Sequence, residues 1–270
     1  MREQYDVIVI GSGAGGLTAA VALAQAGKQV LVLEQHDVAG GWTHSFTLSG
    51  YRFSPGVHYI GGLQPGGRLR GVYEGLGVSQ DLEFCELNPD GYDHVFIGEE
   101  RFDIPKGKDR YAARLKERFP EEAEGIDGYL NAVEDLMGSL SNLGRVKSPG
   151  SALAATGDAV SVLRLARSSG KDLIDNYVND PMLKAILMAQ AGDYGTPPSE
   201  VSVFMHAGTV RHYFDGGYYP RGGAFAIPRA FVRALKRAGG EIRLQTPVER
   251  ILIEDGRAVG ARLADGEEVR

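Results

Sequence analysis

YDVIVIGSGAGGLTAAVALAQAGKQVLVLE, from Tyr5 to Glu34, decides how this chain folds. No charged residue occurs between Val7 and Gly27, so a membrane anchor, a secretory signal and a nucleotide-binding turn compete for it. Its length suits the first, and ALAQA resembles a small-residue cleavage site. Yet Gly11, Gly13, Gly15, Gly16 and Gln25 interrupt it, and its start carries Glu3 and Asp6 where a targeting segment would be basic. The nucleotide reading explains more residues. YDVIVI has the β-branched character of a parallel strand buried on both faces. Gly11-x-Gly13-x-x-Gly16 then turns into a helix expected over Leu17 to Ala26, closed by Gly27. A second strand is expected over Gln29 to Leu33, with Glu34 at its end.

Each part of this unit has a separate physical task. Gly11 makes the turn, Gly13 admits a pyrophosphate close to the backbone, and Gly16 lets the helix lie on the strand. The amides of the loop and first helical turn (Gly11, Ser12, Gly13, Ala14, Gly15, Gly16) face an anion with no competing intrahelical acceptor. Glu34 follows Gly11 by 23 positions, near the spacing of about 20 at which a carboxylate meets ribose hydroxyls. A carboxylate there repels a 2′-phosphate, which disfavours NADP. Strand, glycines, helix, strand and acid in this order predict a Rossmann site. They do not separate NAD from FAD.

Composition sets outer bounds. A 270-residue chain that is 43% apolar has room for a sizeable core, and a net charge of −6 without a basic run argues against a nucleic-acid partner. Cys85 is the single cysteine, which excludes an internal disulfide and a cysteine-cluster metal site and favours a reducing, cytoplasmic setting. The six histidines lack the i, i+4 spacing of a helical zinc pair, so no metal is expected.

Downstream of Glu34 a regular NAD domain would add another βαβ unit. Here QHDVA leads to Gly40-Gly41 and then to an aromatic stretch, Phe46 to Phe53, expected to form a hairpin turning at Ser49-Gly50. EQH at Glu34 to His36, the glycine doublet, His44-x-Phe46 and GVHYIGG at Gly56 to Gly62 occur in order. AGDYGTPPS at Ala191 to Ser199, HYFDGGYYPRGG at His212 to Gly223 and VERILIEDGRAVGARLADGE at Val248 to Glu267 follow. Together these motifs resemble the FAD-dependent phytoene desaturase and carotenoid isomerase superfamily, and within it the retinol saturase (all-trans-retinol 13,14-reductase) group, over essentially the whole chain. The resemblance implies FAD as cofactor. It also implies flavin or adenine contacts at Gln35, Gly40, Gly41, Trp42, Gly56, Val57 and His58, and at the backbone of Val248. One departure stands out: family members often carry Asp two residues before the glycine of the GVHY motif, and this chain has Ser54-Pro55-Gly56.

The middle of the chain reads as two strands within Gly91 to Pro105 around a Gly-Glu-Glu turn, a helix over Tyr111 to Phe119, and a helix over Ile126 to Met137. In the last, Ile126, Tyr129, Leu130, Val133 and Leu136 share one face. Asn142 to Gly150 reads as a connection. Beyond it Leu153, Val160, Leu163 and Ala166 form an apolar stripe beside Arg164 and Arg167. This stripe suits a core or domain-lid helix, or alternatively a peripheral membrane contact through which a lipid-like substrate enters. GGYYPRGG reads as a loop, or as backbone passing close to a flat ring. A helix over Ala224 to Ala238 is expected next, then strands at EIRLQ, Val248 to Glu254 and Ala258 to Leu263, with turns at Asp255-Gly256 and Asp265-Gly266.

The expected architecture is therefore α/β: a Rossmann-like FAD-binding domain built from residues 1–66 and 212–270, with an α+β substrate domain inserted at 67–211. The resemblance implies further sequence after Arg270, so the chain reads as an N-terminal portion. It also implies hydride transfer between flavin N5 and an apolar polyene or isoprenoid, in saturation, desaturation or isomerisation, with His58 and Tyr59 as candidate proton donors. An amine-oxidase-like activity, or a flavin-binding remnant without turnover, stands as the alternative. An apolar small-molecule substrate is the expected partner, with the peripheral membrane contact as an option.

Overall fold

A computed structural model describes residues 4–270; residues 1–3 of the expected first segment, Glu3 among them, lie outside the described residues. The opening strand forms as β1 (Val7–Ile10) and leads into α1 (Ala14–Gln25), but it is half-buried at the sheet edge, with Ile10 exposed, and not buried on both faces as expected. This helix starts three residues before the expected Leu17. Apolar periodicity marks the first residue that packs, whereas the bond from Leu17 N to Gly13 O (2.9 Å) already holds residues 14–16 in the first turn. The second strand is β2 (Val30–Leu33). The aromatic hairpin forms as expected from β3 (Phe46–Leu48) and β4 (Tyr51–Phe53), with Ser49 (φ 51°) and Gly50 (φ 83°) both in the left-handed region that a two-residue turn requires. Next comes α2 (Arg68–Gly75), and β5 (Phe84–Glu86) carries the chain across to a second compact unit, Glu86–Gly217.

That unit opens with the expected antiparallel pair, β6 (Asp93–Ile97) and β7 (Glu100–Ile104). It continues as helices: α3 (Lys108–Arg118), α4 (Ala123–Leu143), α5 (Pro149–Ala154), α6 (Thr156–Leu165), α7 (Gly170–Asp175), α8 (Pro181–Leu187) and α9 (Val203–His212). All five positions of the predicted α4 face are buried, with Ile126, Tyr129 and Val133 fully enclosed. The stripe over residues 153–166 is corrected. It is split between two helices that meet at Ala155, and Leu153, Val160 and Leu163 are exposed, not packed in a core. The inward side of α6 carries the half-buried Val162 and Leu165 together with Asp158, which accepts from Asn142 of α4 (3.2 Å), and the opposite face is turned outward. The helices between residues 170 and 212 had no sequence-based expectation.

The chain returns as β8 (Tyr218–Pro220), a short strand inside GGYYPRGG, then α10 (Ala226–Arg237), β9 (Glu241–Arg243), β10 (Val248–Glu254), β11 (Arg257–Leu263) and β12 (Glu268–Val269). In the first compact unit a parallel sheet runs in the order β1-β2-β9, with Val7 beside Val30 and Leu31 beside Glu241. The central strand β2 is buried on both faces. Val30 and Val32 point into a core with Leu17, Val21, Phe231 and Leu235 of α1 and α10; Leu31 and Leu33 point into a second core with Ala261 and Leu263 of the β10-β11-β12 meander. Each such side chain contributes about 1.5–3 kcal/mol, so this strand anchors both layers. The unit is a Rossmann-like α/β domain completed by two separate chain segments. Its segments end at Cys85 and resume at Tyr218, where the sequence reading divided after 66 and before 212. Residues 67–85 join it because Tyr73 of α2 stacks on Phe84 (5.6 Å) and meets Phe231 edge-on (5.5 Å).

Candidate cofactor site

The carboxyl ends of three parallel strands lie side by side, and the ligand-bearing turns of such sheets start there. Gly11 N, just past β1, donates to Leu33 O at the end of β2 (2.8 Å), and Glu34 N donates to Arg243 O at the end of β9 (2.9 Å). The glycine turn, the acid and the segment after β9 therefore share one edge. Gly16 is required by packing: a Cβ there would stand 2.2 Å from Gly11 O. Gly13 and Gly15 differ, because a Cβ at either meets nothing within 4 Å. Open space lies over the backbone at the start of α1, whose first turn has no acidic side chain and no side-chain cap. This is the cradle an anionic diphosphate requires.

Ser12 ties the site together. Its amide and its hydroxyl both donate to Glu34 Oε2, over 2.8 and 2.5 Å, and the hydroxyl accepts from Gly40 N over 3.1 Å. Ser12 is wholly buried and Glu34 is 5% exposed. Burial works against ionisation of Glu34. The His36 amide on Oε1 (2.9 Å) and the two Ser12 donors outweigh it, and hold the carboxyl below its ordinary range. Oε2 thus has both acceptor positions filled, while Oε1 keeps one for an incoming hydroxyl. Glu34 thus retains one unfilled acceptor position, where the sequence reading expected it to meet a hydroxyl pair.

Of the other expected site residues, Gly40 and Gly41 join the turn directly. Gly13 and Gly40 form an isolated parallel bridge, and a Cβ on Gly41 would lie 3.0 Å from Gly13 Cα. Trp42 is 76% exposed and packs on Gly56, where a Cβ would be 2.9 Å from the tryptophan Cβ. Val57 packs against the core of α1 and α10. His58 is exposed and its ring meets Tyr59 edge-on at 5.2 Å. Gln35 is exposed. Val248 packs beside Leu31 and Leu33, two residues beyond Thr246, whose amide donates to Glu34 O (2.8 Å). The departure at Ser54 has a local answer: its hydroxyl accepts from Val57 N and donates to Val57 O, both at 3.0 Å, closing the turn before His58.

Sequence reasoning missed two features. The expectation that the Gly11 and Ser12 amides face an anion is corrected, because they are spent on Leu33 O and Glu34 Oε2; for the role of the Ser12 hydroxyl, a small hydroxyl residue inside the motif, with an acid at the end of the next strand, was the available signal. His206, in the other compact unit, is buried between the hydroxyls of Tyr129 (2.8 Å) and Tyr194 (3.3 Å), and nothing in its spacing marked it. No group of three metal-ligating side chains occurs among the described residues. A hollow of about 610 Å³ runs along β1 and the β10–β11 hairpin and is lined by none of the expected site residues. No helix among the described residues is long and apolar enough to cross a membrane.

Comparison with known proteins adds three findings. The profile of the family "Flavin containing amine oxidoreductase" matches residues 14–270. All-trans-retinol 13,14-reductase of Danio rerio is 38% identical over 98% of this chain and 46% of its own length; prolycopene isomerase 2 of an Oncidium hybrid cultivar is 31% identical over 98% and 47%. The chain thus spans a little under half the length of these curated relatives. Among solved structures, putrescine oxidase superposes with a TM-score of 0.63 at 20% identity, over 98% of this chain and 56% of that one, a likeness of fold.

Proposed function

Because the chain belongs to the flavin containing amine oxidoreductase family, whose cofactor is FAD, we propose that it forms the dinucleotide-gripping part of an oxidoreductase acting on carbon–carbon double bonds of an apolar polyene or isoprenoid. The cofactor side of this reading rests on the Ser12–Glu34–Gly40 clasp at the mouth of the parallel strands. The substrate side rests on relatives, 31–38% identical, named for retinol reduction and prolycopene isomerisation.

FAD, when bound, supplies hydride exchange at its flavin ring. The chain supplies the rest. Amides of Ala14, Gly15 and Gly16 hold the diphosphate at the start of α1. Glu34 Oε1 accepts from a ribose hydroxyl, and the Val248 backbone meets the adenine. Gly40, Gly41, Trp42 and the Gly56–His58 turn would hold the flavin end of the cofactor, and His58 or Tyr59 would supply the proton for reduction of a double bond. A polyene offers no polar handle, so its orientation comes from apolar walls that also exclude water. Such a substrate partitions into lipid, and the reading includes a peripheral membrane location.

The test is anaerobic. The purified protein is titrated with FAD; all-trans-retinol or prolycopene is then added to the photoreduced flavin, and putrescine to the oxidised flavin, while flavin absorbance and polyene products are followed. Flavin reoxidation or product formation with a polyene is expected. Reduction of the oxidised flavin by putrescine with no reaction of either polyene, or failure to take up FAD, overturns the proposal.

A further inference from the structure

The two short helices α5 and α6 present a surface that the cofactor site does not use. In α6, successive residues advance by 100°, so Val160, Leu163 and Arg164 fall within one third of the circumference, and Arg167, just past the helix end, continues that side. Leu163 is 72% exposed and Val160 52%. Leu153 of α5 is 79% exposed, more than any other large apolar side chain among those described. α6 has no buried residue at all. A ten-residue soluble helix normally turns its apolar residues inward; α6 does so with Val162 and Leu165, half-buried on the side of Asp158, and it carries a second apolar pair, Val160 and Leu163, on the exposed side.

The charges follow the same division. Between residues 141 and 168 there are four basic residues, Arg145, Lys147, Arg164 and Arg167, all exposed, and one acid, Asp158, on the side toward α4. None of the four basic side chains has a carboxylate partner among the described residues. Elsewhere in this unit, Lys106, Lys108, Arg110, Lys116, Arg118, Lys171 and Lys184 are each paired with an acid. In a chain with a net charge of −6, a local basic patch with unpaired heads and exposed leucines between them fits one occupant better than a protein partner. Anionic lipid headgroups take the cations while the leucines enter the acyl boundary.

We propose that α5 and α6 dock this protein on an anionic lipid surface, with Leu153, Val160 and Leu163 inserted and Arg145, Lys147, Arg164 and Arg167 at the headgroups. The surface stands whether or not the chain turns over a polyene, because its observations lie outside the cofactor site.

The experiment is sedimentation of the purified protein with vesicles of phosphatidylcholine alone or with 30% phosphatidylserine, at 50 and 500 mM salt. Binding is expected only to the anionic vesicles, weakening as salt rises. The double variant Arg164→Gln/Arg167→Gln removes two charges and is expected to bind about thirty-fold more weakly, at roughly one kcal/mol per basic residue. Leu153→Ser/Leu163→Ser is expected to weaken binding at least about tenfold. All four positions are exposed, so circular dichroism and the unfolding midpoint should match the parent. As a control, Leu48→Ser on the exposed aromatic hairpin should leave binding unchanged. No sedimentation with anionic vesicles, binding indifferent to both helix variants, or loss only in the hairpin variant overturns the proposal.

Discussion

The hydroxyl of Ser12 donates to Glu34 Oε2 over 2.5 Å and accepts from the amide of Gly40 over 3.1 Å. One buried side chain thereby joins the phosphate turn, the acid after β2 and the second glycine doublet. Ser12→Ala keeps the amide bond to Glu34 but leaves the Gly40 amide without its acceptor. A loss of about 1–3 kcal/mol of stability is expected from such a buried group. FAD affinity should fall with it, because Gly40 and the turn are no longer held in register. Denaturant unfolding and quenching of FAD fluorescence read the two effects separately.

Glu34 tests the polarity of the same clasp. Burial opposes its ionisation, but the His36 amide and the Ser12 donors prevail and keep its pKa below 4.5. Its contribution to stability is therefore present above pH 4.5 and lost as the pH falls through the lower, folded-state value. Glu34→Gln should flatten the acid limb of the unfolding curve and weaken FAD binding at neutral pH. An unchanged acid limb would remove the ionic role assigned here.

The two glycines of the turn should respond in opposite ways to the same methyl group. At Gly16 a Cβ meets Gly11 O at 2.2 Å, so Gly16→Ala is expected to destabilise the fold by about 1–3 kcal/mol. Gly13 has φ −62° and open space where a Cβ would go, so Gly13→Ala should fold with an unchanged midpoint. That methyl occupies the diphosphate's place, and FAD affinity should drop at least about tenfold, which is 1.4 kcal/mol. Melting curves with and without FAD distinguish the two variants.

The first compact unit was legible because each layer leaves a local mark. β1 is a short β-branched run and β2 a short apolar one alternating valine and leucine, the glycines are spaced by the turn they make, and β10 to β12 are separated by Asp-Gly turns, in the first of which Asp255 and Gly256 both take positive φ. The face of α4 was legible for the same reason: five apolar positions at helical spacing have one solution. What escaped depends on partners distant in sequence. The outward turn of Leu163 follows from which of two apolar sides of α6, Val162 with Leu165 or Val160 with Leu163, is half-buried, and the residues that join α2 to the cofactor domain do so through Tyr73 and Phe231. Ser12 was legible in position but not in role, because the motif fixes where its amide lies and only the fold brings Gly40 to its hydroxyl. The helices from 170 to 212 are short and capped by Ser169, Asp180 and Ser202, and runs of six to ten residues carry too few turns to show a period.

His206 supplies a pH dependence independent of the cofactor. Its ring is 1% exposed, between the Tyr129 and Tyr194 hydroxyls, and burial pushes its pKa down from 6.5 to about 4. A neutral imidazole has one donor and one acceptor, which suits two phenols; a charged ring would need a second acceptor in a site that burial has stripped of water. The unfolded chain takes up this proton near pH 6.5 and the folded chain does not. Stability is therefore complete above pH 6.5, declines as the pH falls toward 4, and levels off below that, with a loss of about 3 kcal/mol across the window. His206→Gln keeps a donor and an acceptor without titrating, so its unfolding free energy should lie lower at pH 7.5 and fall less steeply than the parent's between pH 6.5 and 5, above the range where the carboxylates titrate. Urea unfolding of both proteins across that range decides the point: parallel slopes would mean the ring does not carry the proton linkage.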